Sequence, residues 1–159
     1  MRRLLAVAVF VIIGTTAVTA RPQSVSLGVG AGVAAMHRVD QPADVSFAWG
    51  FAVNIPVIST LHLSPSSEIY RDAGVYATDI ALAFRFVVPL RTADLYVGVA
   101  PGLTASGTTT APHVGALGGV VLPLISNVSW FAQYKYKVVF AGATNSRFSH
   151  ANAGLLFSF

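Results

Sequence analysis

Charge is scarce in this chain. Lys, Arg, Asp and Glu together make up 10% of its 159 residues, whereas hydrophobic residues make up 54%. An ordinary soluble domain carries about 25% charged residues, so this chain has too few charges to cover a surface that faces water. The composition therefore argues against a soluble globular protein, and the length indicates one domain.

Cysteine is absent altogether. Its absence excludes both a lipid attachment through cysteine and a disulfide framework. Long hydrophobic runs are missing as well, because beyond the first twenty residues no stretch approaches the ~18 apolar residues of a transmembrane helix.

The first twenty residues have the pattern of a signal peptide. Arginines at positions 2 and 3 precede ten apolar residues and a small V-T-A ending at 18–20. We expect cleavage after Ala20, which gives a signal peptide at 1–20 and a single domain at 21–159. An uncleaved anchor is the alternative, but ten apolar residues are too few for a spanning helix of about 20. Cleavage lowers the formal net charge from +4 to +2 by removing two arginines, so we expect no nucleic-acid partner.

What recurs in the rest of the chain is an alternation of apolar residues with small or polar ones. It is clearest at 44–55, where Phe47 and Trp49 alternate with Ala48 and Gly50. A period of two predicts a β-strand, and this one exceeds the 9 to 11 residues that a tilted strand needs to cross a bilayer. Because an eight-stranded barrel is just wide enough inside for side chains, we expect the bulky set to face outward.

The same alternation predicts eight strands. Parity is ambiguous in the sixth, because Gly118 and Gly119 suit either face, and a bulge is plausible in this strand. The third strand is the weakest, since Pro65 interrupts it and its end near Tyr70 reads equally well as loop. The predicted strands are residues 24–34, 44–55, 60–70, 76–88, 94–103, 113–122, 128–139 and 150–159.

A short motif repeats after each even-numbered strand except the last. It reads apolar, proline, apolar, any residue, then Ser or Thr, at 55–59, 88–92 and 122–126. We interpret these segments as short turns at one end of a barrel. The segments 36–43, 65–75, 104–112 and 141–149 are then predicted to be loops of roughly eight to eleven residues at the other end.

Two soluble folds are alternatives. A lipocalin-like barrel would have a polar exterior and an apolar interior, and a β-sandwich would also expose one polar face. Neither face of these strands carries enough charge to meet water, so the sequence favours the transmembrane barrel.

Two segments carry a resemblance to a known family. The seventh strand reads S-W-F-A-Q-Y-K-Y-K-V at 129–138, and the chain ends A-G-L-L-F-S-F at 153–159. The chain resembles the small outer-membrane β-barrels typified by the transmembrane domain of outer membrane protein A and by outer membrane protein X. The resemblance covers residues 21–159. It implies an all-β fold, an eight-stranded antiparallel up-and-down barrel in a bacterial outer membrane, with both of its ends in the periplasm.

The resemblance also implies partners. Leu155, Phe157 and Phe159 resemble the signal that the barrel-assembly machinery recognises. Trp130, together with Phe157 and Phe159, is expected to join an aromatic girdle at the periplasmic interface. We expect a monomer in contact with membrane lipids and lipopolysaccharide. The arginines predicted at the outer mouth are candidates for lipopolysaccharide phosphates, although three acidic residues lie near them: Arg38, Arg71 and Arg147, with Asp40, Glu68 and Asp72.

Four charged residues are predicted to face the lumen: Asp79 and Arg85 on the fourth strand, and Lys135 and Lys137 on the seventh. A buried charge is costly unless it is paired or hydrated. We therefore expect a structural polar network in which Asp79 pairs with Arg85 or with a lysine across the lumen.

The leading hypothesis is a non-enzymatic barrel with a structural or surface-interaction role and a polar, plugged lumen. A narrow, low-conductance channel is one alternative. A lipid A deacylase is another, since such enzymes carry a His-x-Ser-Asn-Ala type motif, but the segment 149–154 has no serine two positions after His150. We expect His150 at the extracellular mouth. The spacing of His37, His62, His113 and His150 matches no metal motif, and we expect no metal or cofactor.

Overall fold

The computed structural model describes residues 24–37, 43–72, 74–142 and 144–159. The predicted signal peptide at 1–20 lies outside these ranges. Within them, no helix is long and apolar enough to cross a membrane. The strands are β1 Ser26–His37, β2 Asp44–Ile58, β3 Leu61–Asp72, β4 Val75–Pro89, β5 Asp94–Ser106, β6 Thr109–Ile125, β7 Val128–Ala141 and β8 Thr144–Ser158.

The eight strands form one closed antiparallel barrel. Each strand pairs with the next along the chain, and β8 pairs back with β1. In this closing pair Leu27 lies opposite Phe157, and Met36 lies opposite Phe148. The predicted eight-stranded up-and-down barrel is confirmed. We call the end that holds Ser26 and Ser158 the terminal end, and the opposite end the distal end.

Side chains alternate between the outside and the lumen, as the pleat of a strand requires. On β2, Phe47 is 67% exposed and its neighbour Ala48 is fully buried. On β4, Ile80 is 64% exposed and Asp79 is 1% exposed. The outside is therefore apolar and the lumen is lined by small, polar and charged groups, which is the arrangement that the size contrast predicts.

Some large side chains nevertheless face inward, where glycine leaves room for them. The ring of Phe131 lies across Gly30 and Gly154, and a Cβ added to either glycine would come within 2.8 Å of it. The ring of Tyr96 lies against Gly119 in the same way. Glycine residues thus leave room for aromatic rings from other strands, and together they fill the lumen.

The prediction of long distal loops is wrong for the described residues, which are mostly in strands there. The strands continue through most of 65–75, 104–112 and 141–149, and two residues suffice for each of these connections. Each connection contains a glycine with positive φ, 86° at Gly74, 57° at Gly107 and 70° at Gly142, a conformation that glycine adopts without a steric penalty. Most of the first predicted loop, residues 38–42, lies outside the described residues.

The repeated proline motif marks irregular strand ends as well as turns. The register of β2 against β3 shifts between Pro56 and Ile58, and that of β6 against β7 shifts between Pro123 and Ile125. Proline cannot donate to a ladder, so it is tolerated at such bulges. The connections at the terminal end, residues 59–60, 90–93 and 126–127, begin inside the motif. The irregularity of β6 therefore lies at its proline and not at its glycine pair.

The glycine pair of β6 yields a prediction. Gly118 faces outward, where an added Cβ would make ordinary contacts at 3.5 Å and beyond, whereas a Cβ on Gly119 would lie 2.4 Å from Ala132 O and 2.5 Å from Tyr96 Oη. We expect Gly119→Val to lower the free energy of unfolding by about 1–3 kcal/mol through overpacking. Gly118→Val should change it far less. Urea unfolding of both variants in detergent measures the difference. Equal effects would contradict this assignment of the two faces.

Candidate functional site

A cluster of ionic side chains occupies the distal half of the lumen. Glu68 of β3, Asp79 of β4, and Lys135 and Lys137 of β7 are all buried there, each less than a tenth exposed. The period of two places each of them on the inner face of its strand. The cluster combines two carboxylates with two ammonium groups, so it has no net charge.

Asp79 is the centre of this cluster. Its Oδ2 accepts a hydrogen bond from Lys137 Nζ and lies 3.8 Å from Lys135 Nζ. Its Oδ1 accepts from Thr104 Oγ1 at 2.8 Å and from Tyr70 Oη at 3.2 Å. Both oxygens of this buried carboxylate are thus bonded, as the cost of burying a charge requires.

Lys137 is fully buried and makes a set of contacts of its own. Besides Asp79, its Nζ donates to Tyr70 Oη at 2.7 Å. The ammonium also lies 4.5 Å from the ring centroid of Tyr70 and 4.7 Å from that of Phe148, within the range of cation–π attraction.

Glu68 forms the second pair of the cluster. Its Oε2 accepts from Lys135 Nζ and its Oε1 accepts from Asn152 Nδ2 at 3.0 Å. His150 Nδ1 lies 3.3 Å from the same Oε2, without the geometry of a hydrogen bond. Glu68 therefore connects β3 to β7 and β8 across the lumen.

Arg85 does not pair with Asp79. The two lie six positions apart on β4, which is about 20 Å along a strand. The guanidinium instead donates from Nη2 to Gln133 Oε1 at 3.0 Å and lies over the ring of Tyr96, 4.8 Å from its centroid. Of the two pairings expected for Asp79, the structure contains the one with a lysine.

An apolar cluster lies distal to the ionic one. We call it the distal plug: Ala34, Ala48, Tyr70, Ala77, Ala111, Val139 and Phe148, with Met36 packed against them. The plug residues are between 0% and 6% exposed. The Tyr70 ring meets Phe148 edge-on at 5.6 Å and His150 at 5.0 Å, so the plug packs directly against the ionic cluster.

Several residues of the cluster escape the sequence analysis. Glu68 and Tyr70 fall where the third predicted strand reads equally well as loop, and Thr104 falls in a predicted loop. His150 begins the last predicted strand. The structure places all four on strands with their side chains in the lumen. The expectation that His150 lies at the mouth is wrong, since it is fully buried. The alternation of inward and outward residues could have identified these residues. Continued past the predicted strand ends, it places their side chains on the same inner face as Asp79 and Lys137.

The ligand atoms of Glu68, Asp79 and His150 lie within 4.8 Å of one another, the spacing of a metal site. The donor set does not fit a cation, however, because Lys135 and Lys137 already bind both carboxylates. A divalent ion would have to displace both ammonium groups from these carboxylates. The arrangement is that of a network of paired ions.

On the outer face of the barrel, near the distal end, three polar side chains contact one another among apolar residues. Ser149 Oγ lies 2.8 Å from His37 Nε2 and accepts a hydrogen bond from Tyr134 Oη at 2.8 Å. All three side chains are on the outer face. A shallow groove begins beside Tyr134 and runs toward the terminal end over small outward residues, among them Ala31, Ala132, Ala151 and Ala153.

Large apolar side chains at the terminal end of β8 point outward. Leu155 and Phe157 are 38% and 37% exposed, and Phe159 beyond the strand is 82% exposed. Trp130 is half-buried and lies opposite Leu155. Backbone N of Phe159 donates to Val25 O at 3.0 Å, so the last residue is held by its backbone while its ring is free.

The ionic network leads to a prediction for Asp79. We expect Asp79→Ala to lower the free energy of unfolding by about 3–5 kcal/mol, because it leaves the buried ammonium of Lys137 without its carboxylate. Lys137→Met in the same chain should restore part of the loss, since it removes the unpaired charge. Asp44→Ala, at an exposed residue, should stay within about 0.5 kcal/mol. Denaturant unfolding in detergent measures all four proteins, and a loss for Asp79→Ala no larger than that for Asp44→Ala would contradict the pairing.

The fold is shared with small outer-membrane barrels of known structure. Neisserial surface protein A gives a TM-score of 0.75 at 16% identity, over 85% of this chain and 97% of that one. Ail, the attachment invasion locus protein of Yersinia pestis, gives 0.54 at 12% identity, over 86% and 100%. A de novo designed transmembrane β-barrel gives 0.55 at 14% identity, over 87% and 98%.

No protein-family model matches the chain, and no curated protein does. At these identities the structural likeness concerns the fold. The chain has the fold of a small outer-membrane β-barrel, which confirms at that level the resemblance drawn from residues 129–138 and 153–159.

Proposed function

We propose that this chain is a monomeric integral protein of a bacterial outer membrane with a non-enzymatic, structural role and a lumen that does not conduct ions across the membrane. A signal peptide at 1–20 would direct its export, and both barrel termini would lie in the periplasm. The observation that carries the proposal is the reversal of polarity across the wall, apolar outside and ionic inside.

The outer wall supports the location. Large apolar side chains such as Phe47, Ile80 and Val97 are more than half exposed. A water-soluble monomer rarely exposes a large apolar patch, whereas a lipid-facing wall requires one. The strands contain 12 to 17 residues, more than the 9 to 11 that a tilted strand needs to cross the hydrocarbon.

The lumen supports a closed barrel. The distal plug and the ionic network fill successive levels of the distal half, and their side chains are almost fully buried. Below them lies a cavity of about 40 Å³ between Arg85, Tyr96, Phe131 and Gln133. A conducting path would need the plug and the ion pairs to separate, at the cost of leaving buried charges unpaired.

The distal end argues for a structural role over an adhesive one. Three of its connections are two-residue turns, so the described part of the chain offers little extracellular surface. Arg71 and Arg147 are exposed there and are suited to the phosphates of lipopolysaccharide. At the other end, the free ring of Phe159 is available to the barrel-assembly machinery.

Planar-bilayer recording tests the closed lumen. We expect the folded protein, added to a lipid bilayer under an applied voltage, to produce no conductance steps above those of a protein-free bilayer. A folded porin serves as the positive control for insertion, and reconstitution into vesicles confirms that this barrel inserts. Reproducible steps that appear with the folded protein but not with boiled protein would replace this proposal with the narrow channel.

The outer-wall group favours a second candidate, hydrolysis of an acyl ester of an outer-leaflet lipid. Ser149 would attack the ester carbonyl, and His37 would accept the hydroxyl proton, since its Nε2 lies 2.8 Å from Oγ. The ester C–O bond would break, His37 would return the proton to the leaving alcohol, and water would then hydrolyse the acyl-serine to release the fatty acid. The groove beside Tyr134 would hold the acyl chain. This candidate differs from the lipid A deacylase considered from the sequence. It uses Ser149 on the outer face, whereas that hypothesis centred on His150, which lies in the lumen.

Mass spectrometry of lipids separates the two candidates. Purified lipopolysaccharide and phospholipid vesicles are incubated with the wild type and with Ser149→Ala. The structural role predicts that no acyl chain is lost with either protein. Loss of a chain with the wild type alone would support hydrolysis at Ser149 and contradict a purely structural barrel.

A further inference from the structure

Buried charges in the lumen do not balance once Arg85 is counted. The buried acidic residues are Glu68 and Asp79, and the buried basic ones are Lys135, Lys137 and Arg85. The two lysines bind the two carboxylates, which leaves one positive charge, the guanidinium of Arg85. Asp94 is the inward carboxylate of β5. Its backbone lies about 13 Å along the strand from that of Gly98, the residue opposite Arg85.

The two side chains that contact the Arg85 guanidinium directly are neutral. Its Nη2 donates to Gln133 Oε1, and its guanidinium lies over the Tyr96 ring. Its Nε is buried and has no hydrogen-bond partner among the described residues. Arg85 is only 9% exposed, and an unpaired buried charge of this kind is strongly destabilising.

A cavity adjoins Arg85. It measures about 40 Å³ and is lined by Arg85, Gln133, Tyr96, Phe131 and Asn152, among others. Because one water needs roughly 10–15 Å³ of such space, about three particles of water size fit. Gln133 accepts from both Arg85 and Tyr96 through Oε1, so its Nε2 donor remains for a further partner.

Glu68 also lines the cavity, and its negative charge would repel an anion. That charge is already engaged, because Lys135 binds Oε2 and Asn152 binds Oε1. The nearest unsatisfied charge at the cavity is therefore positive.

We propose that this cavity binds one small monovalent anion of halide size, held by Arg85 and Gln133. The anion neutralises the fifth buried charge, and water alone cannot do so. The small volume excludes bulky anions. The site would stabilise the barrel whatever its role in the membrane, so the inference is independent of the proposed function.

The test compares anions at equal ionic strength. The unfolding temperature of the folded barrel in a nonionic detergent is measured in sodium chloride, sodium bromide and sodium gluconate. Gluconate carries the same charge but is too bulky for the cavity, so general screening is matched. We expect chloride and bromide to raise the unfolding temperature over gluconate by about 2–4 °C at several times the dissociation constant, with saturation.

Two variants locate the effect. Arg85→Gln should abolish the difference between chloride and gluconate, because it removes the unpaired charge. Arg147→Gln, which removes an exposed arginine at the distal end, should keep the difference. Equal unfolding temperatures of the wild type in the two salts, or a difference that survives Arg85→Gln, would overturn the proposal.

If Arg85→Gln does not fold, a second measurement on the wild type tests the proposal. Crystals of the wild type grown in bromide should give an anomalous peak within hydrogen-bonding distance of Arg85 Nε. A bromide-grown crystal with an empty or water-filled cavity would overturn the proposal equally.

Discussion

The closure of β1 on β8 is the constraint on which the rest of the structure depends. A strand surrounded by hydrocarbon cannot leave backbone N–H and C=O groups unpaired, and only a closed sheet satisfies them all. The register from Ser26 opposite Ser158 to His37 opposite Arg147 achieves this closure. Because β1 carries Gly28, Gly30 and Gly32 on its inner face, β8 and its neighbour β7 can place larger groups in the lumen there. Closure therefore determines both which residues meet the membrane and how much room remains inside.

A narrow closed lumen then determines what charged residues can do. Eight strands enclose little more than the side chains that point inward, so charges there must find partners within the wall. Asp79 with Lys137 and Glu68 with Lys135 connect opposite sides of the barrel. The distal plug covers these pairs on one side. The same geometry leaves Arg85 in direct contact with neutral groups only, beside a small cavity, which is why an anion is the partner we infer for it.

The periodicity of the sequence predicts the strand count, the closure and the inward position of Asp79, Arg85, Lys135 and Lys137, because the period of two is a property of each strand alone. It fails at the distal ends. Glu68 lies in a segment that reads equally well as loop, and His150 is predicted at the outer mouth, because neither strand alone records the partners that these residues meet across the lumen. Which lysine binds Asp79 depends on the stagger of the strands around the barrel, and no single strand records it. The large inward rings of Phe131 and Phe148 break the rule of size for the same reason, since the space they fill is created by other strands.

We conclude that this chain folds as a lipid-facing barrel whose stability comes from a closed ladder and an ionic interior. Gel mobility of the protein extracted from outer membranes, with and without boiling, tests it most directly. A closed barrel resists the detergent until it is heated, so the unboiled and boiled samples should migrate as two distinct bands. A single band at one position under both conditions, or recovery of the protein in the soluble fraction, would contradict the account.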